Sequence, residues 1–368
     1  MTSHSYDTTP IWGWAAPAAA SLLLVLKFSG IVPSDAGLVL ILAGLLLGGA
    51  VFAAVHHAEV LALRLGEPFG SILLAIAVTV IEVALIVSIM LSGSVGSDAV
   101  ARDTVFSAVM IVLNGVIGLC LVLGAQRHHE QSFQLQGASA ALAVLGTLAT
   151  FALVLPNYTV ATLGPHYSPI QLLSIGAVSL ALYCIFVFIQ TIRHREYFLD
   201  NADYETVSGD TPHDKPSNRI VTISTVLLIV SLVAVVLLAK VLSYPLERFV
   251  ATAGLPQAFV GVVIAAIVLL PEGLAAVKAA LLNRLQSSMN LALGSAIASI
   301  ALTIPTVAVV SLLLKQRLVL GLTAENTVLL LLTLFVSTLT LGTGRTTVLQ
   351  GAVHLVIFVV FILLAAVP

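Results

Sequence analysis

The apolar residues of this chain fall into eleven runs of roughly twenty residues or more, separated by short polar breaks. About 20 apolar residues in a helix cross the hydrocarbon core of a bilayer. The pattern therefore predicts membrane helices over residues 13–32, 37–57, 68–92, 103–124, 137–156, 168–192, 219–243, 256–282, 287–314, 325–342 and 346–367. The breaks carry residues that stop helices: Pro33-Ser34-Asp35, Gly66-Glu67-Pro68, Ser92-Gly93-Ser94, Pro156-Asn157, Gly164-Pro165 and Gly254-Leu255-Pro256. Gly44 and Gly48 have the spacing of a close helix–helix contact.

Two polar positions interrupt this pattern where it should be most apolar. Glu82 lies inside FGSILLAIAVTVIEVALIVSIM and Glu272 inside FVGVVIAAIVLLPEGLAAVKA. A carboxylate at membrane depth costs several kcal/mol unless it is protonated, paired or holding a cation. The two acids are 190 residues apart, and shifting the seventh to tenth helices back by that interval lays them over the second to fifth. The same shift matches Phe259 to Phe69, Ala265 to Ala75 and Val268 to Val78. A five-helix unit has an odd number of crossings, so its second copy enters from the opposite face. The expected fold is an all-α polytopic membrane protein, with one N-terminal helix followed by two inverted five-helix repeats. Such repeats are common in secondary transporters, whose sites lie near mid-membrane at the repeat interface. Glu82 and Glu272 are expected to meet there.

The expected organisation is an N-terminal tail and first helix (1–36), a first repeat (37–192), an acidic linker (193–218) and a second repeat (219–368). The linker holds Glu196, Asp200, Asp203, Glu205, Asp210 and Asp214. It is either a solvated connection or an acidic surface that attracts cations. Nine of the fifteen Lys and Arg residues fall on the N-terminal side of the predicted helices. That bias predicts a cytoplasmic N-terminus and linker and an external C-terminus. The extreme N-terminus lacks the basic stretch of a signal peptide, so the first apolar run reads as a retained helix.

Composition narrows the class. The 368 residues are 59% hydrophobic and 9% charged, against about 25% charged in soluble domains, so nearly all of the chain is expected to contact the lipid bilayer. A formal net charge of −2 argues against nucleic acid. Cys120 and Cys184 have no zinc or disulfide spacing and read as small core residues. No phosphate loop, nucleotide motif or nucleophile–base arrangement is visible, so an enzyme is not expected, no cofactor is implied, and ion-gradient coupling is favoured over ATP.

Two carboxylates brought together can neutralise one divalent cation or take up two protons, which is an exchanger in outline. Mutual repulsion and desolvation favour the protonated forms, so H+ competes with the metal. Hard oxygen ligands suit Ca2+, and no Cys or His stands near either acid in sequence to select softer metals. Pro271 removes the N–H that the Ile267 carbonyl would accept, and Gly273 loosens the same turn, so an opened helix could offer that oxygen to a cation. Thr79 stands one turn before Glu82, where its hydroxyl is either a ligand or bonded to its own helix. Ser295 and Ser299, with Asn290, lie among small residues of the ninth helix and are either ligands or packing positions. Asn114 either ligates or hydrogen-bonds another helix. His354 is a proton relay or a satisfied core histidine. His56, His57 and Glu59, at the end of the second helix, are candidates for proton uptake or pH sensing.

The stretch HHAEVLALRLGEPFGSILLAIAVTVIEVALI resembles the first signature region of the Ca2+/H+ antiporters of the cation/Ca2+ exchanger superfamily. FVGVVIAAIVLLPEGLAAVKAALLNRLQSSMNLALGSAIAS resembles the second more closely, and the likeness extends over residues 37–367. The resemblance implies eleven helices in inverted repeats and a central site using Glu82 and Glu272. It also implies export of Ca2+ for H+ across a bacterial inner membrane by alternating access. The family's usual Gly-Asn before each acid is Val78-Thr79 and Val268-Leu269 here, which bears on the secondary ligands. Related bacterial proteins also exchange Na+ or K+, so a Na+(K+)/H+ antiporter is the alternative, and a passive cation channel a further one.

Overall fold

A computed structural model describes residues 10–31, 37–66, 69–93, 96–199 and 216–367. Eleven helices in it are long and apolar enough to span a membrane. We number them α1 (Ile11–Phe28), α2 (Gly37–Leu65), α3 (Phe69–Met90), α4 (Val100–His128), α5 (Leu135–Tyr158), α6 (Pro169–Arg193), α7 (Asn218–Thr252), α8 (Ala258–Leu281), α9 (Leu285–Leu314), α10 (Ala324–Leu341) and α11 (Val348–Ala366). Every predicted helix is present. The largest departures are α2 and α7, each extending eight or nine residues beyond its expected end. His56, His57 and Glu59 are therefore inside α2, and Pro245 and Glu247 inside α7. The acidic linker from Asp200 to Asp214 lies outside the described residues, as do Pro33-Ser34-Asp35, Glu67-Pro68 and Ser94.

The chain forms two compact units, and each draws on both sequence halves. The first unit contains α1, α2, α3 and α7. α2 and α7 pack along one another, α3 lies against both, and α1 covers α2 and α7. α1 approaches α2 near Gly49, where an added Cβ would stand 3.3 Å from the Ala16 Cβ. Gly44 and Gly48 do not serve the expected close contact, since an added Cβ at either would meet nothing within 4 Å. Their spacing fits a contact, but among the described residues none comes that close to either position.

The second unit contains α4, α5, α6, α8, α9, α10 and α11. α8 packs against α4 and α9, and α11 packs against α4 and α10. Two glycines set these distances. An added Cβ at Gly261 of α8 would lie 2.6 Å from the Asp103 carbonyl carbon, and one at Gly351 of α11 would lie 2.8 Å from the Gly118 carbonyl oxygen. The helices can approach this closely only without side chains there. Gln131–Ser132 (β1) pairs antiparallel with Arg345–Thr346 (β2). The extended segment before α10 is tied down by Val319 N–H to Asp98 O (3.0 Å) and Leu322 N–H to Leu153 O (2.8 Å).

Each helix that follows a glutamate helix contains a π-helical turn, at Ile111–Val116 in α4 and Ser299–Thr303 in α9. They start 188 residues apart, close to the interval between the two acids. In α9 the turn precedes Pro305, which cannot donate to the Ala301 carbonyl, so the wider turn accommodates the missing bond. α5 repeats the arrangement, with a π turn at Thr150–Val154 before Pro156. α8 behaves differently. It continues as an α-helix through Pro271, Glu272 and Gly273, without the local opening expected there.

Candidate functional site

In the first unit, α3 places Glu82 at 2% exposure, and Thr79 is buried one turn before it. α2 brings His57 to the crossing of three helices. Its Nε2 donates to the Gly13 carbonyl of α1 (3.1 Å). Nδ1 can then accept from the Ser224 hydroxyl of α7 (3.3 Å). His57 is fully buried and employed as a structural bridge. His56 is half-buried, with its ring 5.0 Å from that of Trp12, while Glu59 is exposed. The His56 and His57 rings stand edge to face, 5.3 Å apart. The same unit holds an acid that the sequence reading missed. Glu247 of α7 is buried and accepts a hydrogen bond from Ser92 Oγ (2.7 Å). Tyr244-Pro245 reads as a helix end, which hid a carboxylate on the helix that continues past it.

In the second unit, α8 places Glu272 at 8% exposure. Gly273 beside it faces the α4 π turn: an added Cβ would come within 3.2 Å of Val116 Cγ2. Ile267 is half-buried, and its carbonyl lacks the Pro271 N–H by covalent necessity although the helix is unbroken. Ser299 is buried at the start of the α9 π turn and Ser295 is half-buried one turn earlier. Asn290 belongs elsewhere. Its Oδ1 accepts from Gln286 Nε2 (2.9 Å) and its Nδ2 donates to the Phe198 carbonyl.

Asn114 and His354 are brought together. Both are fully buried, and His354 Nδ1 lies 3.1 Å from Asn114 Oδ1. Asn114 Nδ2 donates to Thr333 Oγ1 of α10 (2.9 Å), and His354 Nε2 lies 3.1 Å from Thr340 Oγ1 on the same helix. Asn114 therefore hydrogen-bonds other helices, with both ends of its amide engaged. Sequence reading passed over Thr333, Ser337 and Thr340. Their signal is a stripe of hydroxyls at i, i+4 and i+7 in an otherwise apolar helix.

Arg102 and Asp103 form an ion pair near the start of α4 (2.7 Å), and Arg102 also reaches the Gly321 carbonyl (3.4 Å). Of the linker acids only Glu196 is described. A hydrogen bond with its own backbone, and then the His194 ring at 3.3 Å, hold its carboxyl below the usual glutamate range. Among the described residues no group of three His, Cys, Asp or Glu side chains could hold a metal ion.

The sequence profile described as sodium/calcium exchanger protein matches residues 36–192 and 223–367. The y4hA protein of Sinorhizobium fredii is 58% identical over 359 residues, covering 98% of this chain and 97% of that one. The sodium-potassium/proton antiporter ChaA of Escherichia coli is 36% identical over 314 residues, covering 85% of each chain. The solved structure of YfkE, a Ca2+/H+ antiporter, superposes with a TM-score of 0.73 at 18% identity, covering 97% of this chain and all of that one. This last likeness is one of fold.

Proposed function

The chain belongs to the sodium/calcium exchanger protein family and is a multi-pass cation antiporter; on that premise we propose that it exports Ca2+ in exchange for H+, with Glu82 and Glu272 carrying cation and protons alternately. The observation that carries this reading is the burial of both glutamates, at 2% and 8% exposure, well inside helices α3 and α8. Each stands in a helix that precedes one with a π turn in the chain. A buried carboxylate must be neutralised by a proton or a cation. Exchange of one for the other keeps the apolar surroundings free of uncompensated charge at either end of the cycle. Thr79 beside Glu82 supports an added oxygen ligand, and Ser299 on the π turn of α9 supports another. The bias of Lys and Arg supports a cytoplasmic N-terminus in a bacterial inner membrane.

Na+ or K+ in place of Ca2+ is a second reading, favoured by the 36% identity to a sodium-potassium/proton antiporter. Everted membrane vesicles with an imposed pH gradient separate the two. Wild-type protein should drive uptake of radiolabelled Ca2+, and Glu82→Gln or Glu272→Gln should abolish it with the protein still inserted. Full transport by both variants would sink the assignment of the glutamates. Gradient dissipation by Na+ and K+ but not by Ca2+ would establish the second reading.

A further inference from the structure

In the core of the second unit, five polar side chains from three helices face one another. They are Asn114 of α4, His354 of α11, and Thr333, Ser337 and Thr340 of α10. Four are linked through Thr333, Asn114, His354 and Thr340 in turn, at 2.9, 3.1 and 3.1 Å. Ser337 stands between Thr333 and Thr340 on the same helical face. Its Oγ is buried and has no hydrogen-bond partner among the described residues. Thr338, on the exposed face, instead satisfies its hydroxyl on its own helix, donating to the Leu334 carbonyl (2.8 Å).

A buried hydroxyl without a partner calls for an explanation, and an ordered water is one. Neighbouring positions on one helix face are about 5–6 Å apart. One water, hydrogen-bonded at about 2.8 Å to each side, spans that distance and gains the two or more polar partners that a buried water needs. Resting on the antiport reading above, we propose that this ring is a proton-loading site. In it a water held by Ser337 delivers a proton to His354 by way of the Thr340 hydroxyl.

The donor pattern fixes which nitrogen takes the proton. Asn114 Nδ2 donates to Thr333, so Asn114 Oδ1 must accept, and His354 Nδ1 carries hydrogen. In the neutral ring Nε2 accepts from the Thr340 hydroxyl. In loading, the Thr340 hydroxyl passes its proton to Nε2 and takes one from a protonated water at Ser337, so that an Nε2–H bond forms, an O–H bond of that water breaks, and neutral water is left. The Thr340 hydroxyl then turns from donor to acceptor without movement of heavy atoms. Unloading reverses the same step. The proton comes from the gradient that antiport consumes.

The surroundings suit this role. Thr340 lies within one turn of exposed Gly342 and Thr343 at the end of α10, so water has a short path to the ring. On the other side, the π turn that carries Asn114 packs against α8, where Gly273 next to Glu272 meets Val116. Few charges compete. Between Asp103 and Arg127, α4 brings only Cys120; α8 brings Glu272 and Lys278; α10 brings Glu325 at its far end; α5 brings Tyr158 at its far end; α11 brings no other ionisable group. Besides Glu272, the buried titratable groups among these are His354 and the Cys120 thiol.

Reconstituted proteoliposomes distinguish proton loading from a packing role, using Ca2+ or Na+, whichever the vesicle experiment shows is carried. His354→Gln and Ser337→Ala should slow proton-driven flux about tenfold or more. They should also remove the rise in rate that wild-type protein shows as pH falls on the proton-supplying side. Ser337→Thr, which keeps the hydroxyl, should retain that rise. Counterflow of labelled against unlabelled cation, which moves no proton, should stay at the wild-type rate in all three. A wild-type pH profile in His354→Gln would overturn the proposal, as would loss of counterflow in step with proton-driven flux. If His354→Gln fails to insert, Ser337→Ala decides alone, and an unchanged profile in it overturns the proposal. Counterflow that survives in Glu272→Gln overturns the glutamate assignment instead, so the two failures are told apart.

Discussion

At the scale of single residues, burial and close approach make opposite demands that the sequence does not label. Gly44 and Gly261 look alike in an apolar run. Only Gly261 abuts a backbone, that of Asp103, while Gly44 faces open space. Gly261→Val should therefore collapse the yield of folded protein in detergent, whereas Gly44→Val should leave yield and melting temperature unchanged; equal behaviour would refute the difference. His57 gives a second residue-scale expectation. Replacing it with Phe leaves the Gly13 carbonyl and the Ser224 hydroxyl without their buried partner, at about 1–3 kcal/mol for each such group. The melting temperature should fall, while proton-driven flux per folded molecule should hold, because the ring acts as a bridge between helices. A selective loss of flux with stability intact would instead return His57 to the proton path.

At the scale of elements, α8 poses the sharpest question. It remains helical through Pro271, although an interior proline costs about 3 kcal/mol. Pro271→Ala gives the Ile267 carbonyl an N–H partner. It should raise the melting temperature and slow exchange, if that free oxygen serves the cation. Unchanged exchange would remove Ile267 from the site. The helices themselves were legible because a run of about twenty apolar residues has few other ways to satisfy its backbone in lipid. Glu82 and Glu272 were legible because a charge stands out against such a run. The pairing of Asn114 with His354 was not, since 240 residues separate them and neither carries a mark of the other. The hydroxyls of α10 stayed hidden because Ser and Thr in a membrane helix ordinarily bond their own backbone, as Thr338 does. The π turn of α9 has a visible cause in Pro305, whereas that of α4 has none in its local sequence.

At the scale of the whole molecule, the positive residues predict which face each loop occupies. In a background with Cys120 and Cys184 replaced, a single cysteine at Ser208 should be labelled by an impermeant maleimide in everted vesicles and protected in intact cells. A cysteine placed near Pro368 should show the reverse. Labelling of both from one side would refute eleven crossings. The two compact units do not follow the two sequence halves, because each collects helices from both. Within the second unit, α4 and α11 meet at Gly118 and Gly351, where a Cβ on Gly351 would lie 2.8 Å from the Gly118 carbonyl oxygen and one on Gly118 would lie 3.0 Å from His354 Cβ. The two glycines themselves bring no flexible group to act as a bearing. Sliding one helix along the other would drive backbone into backbone, so the last helix of the chain must travel with α4 as a single lever. A bulky residue at Gly351 would then be felt at α4, far from it in sequence.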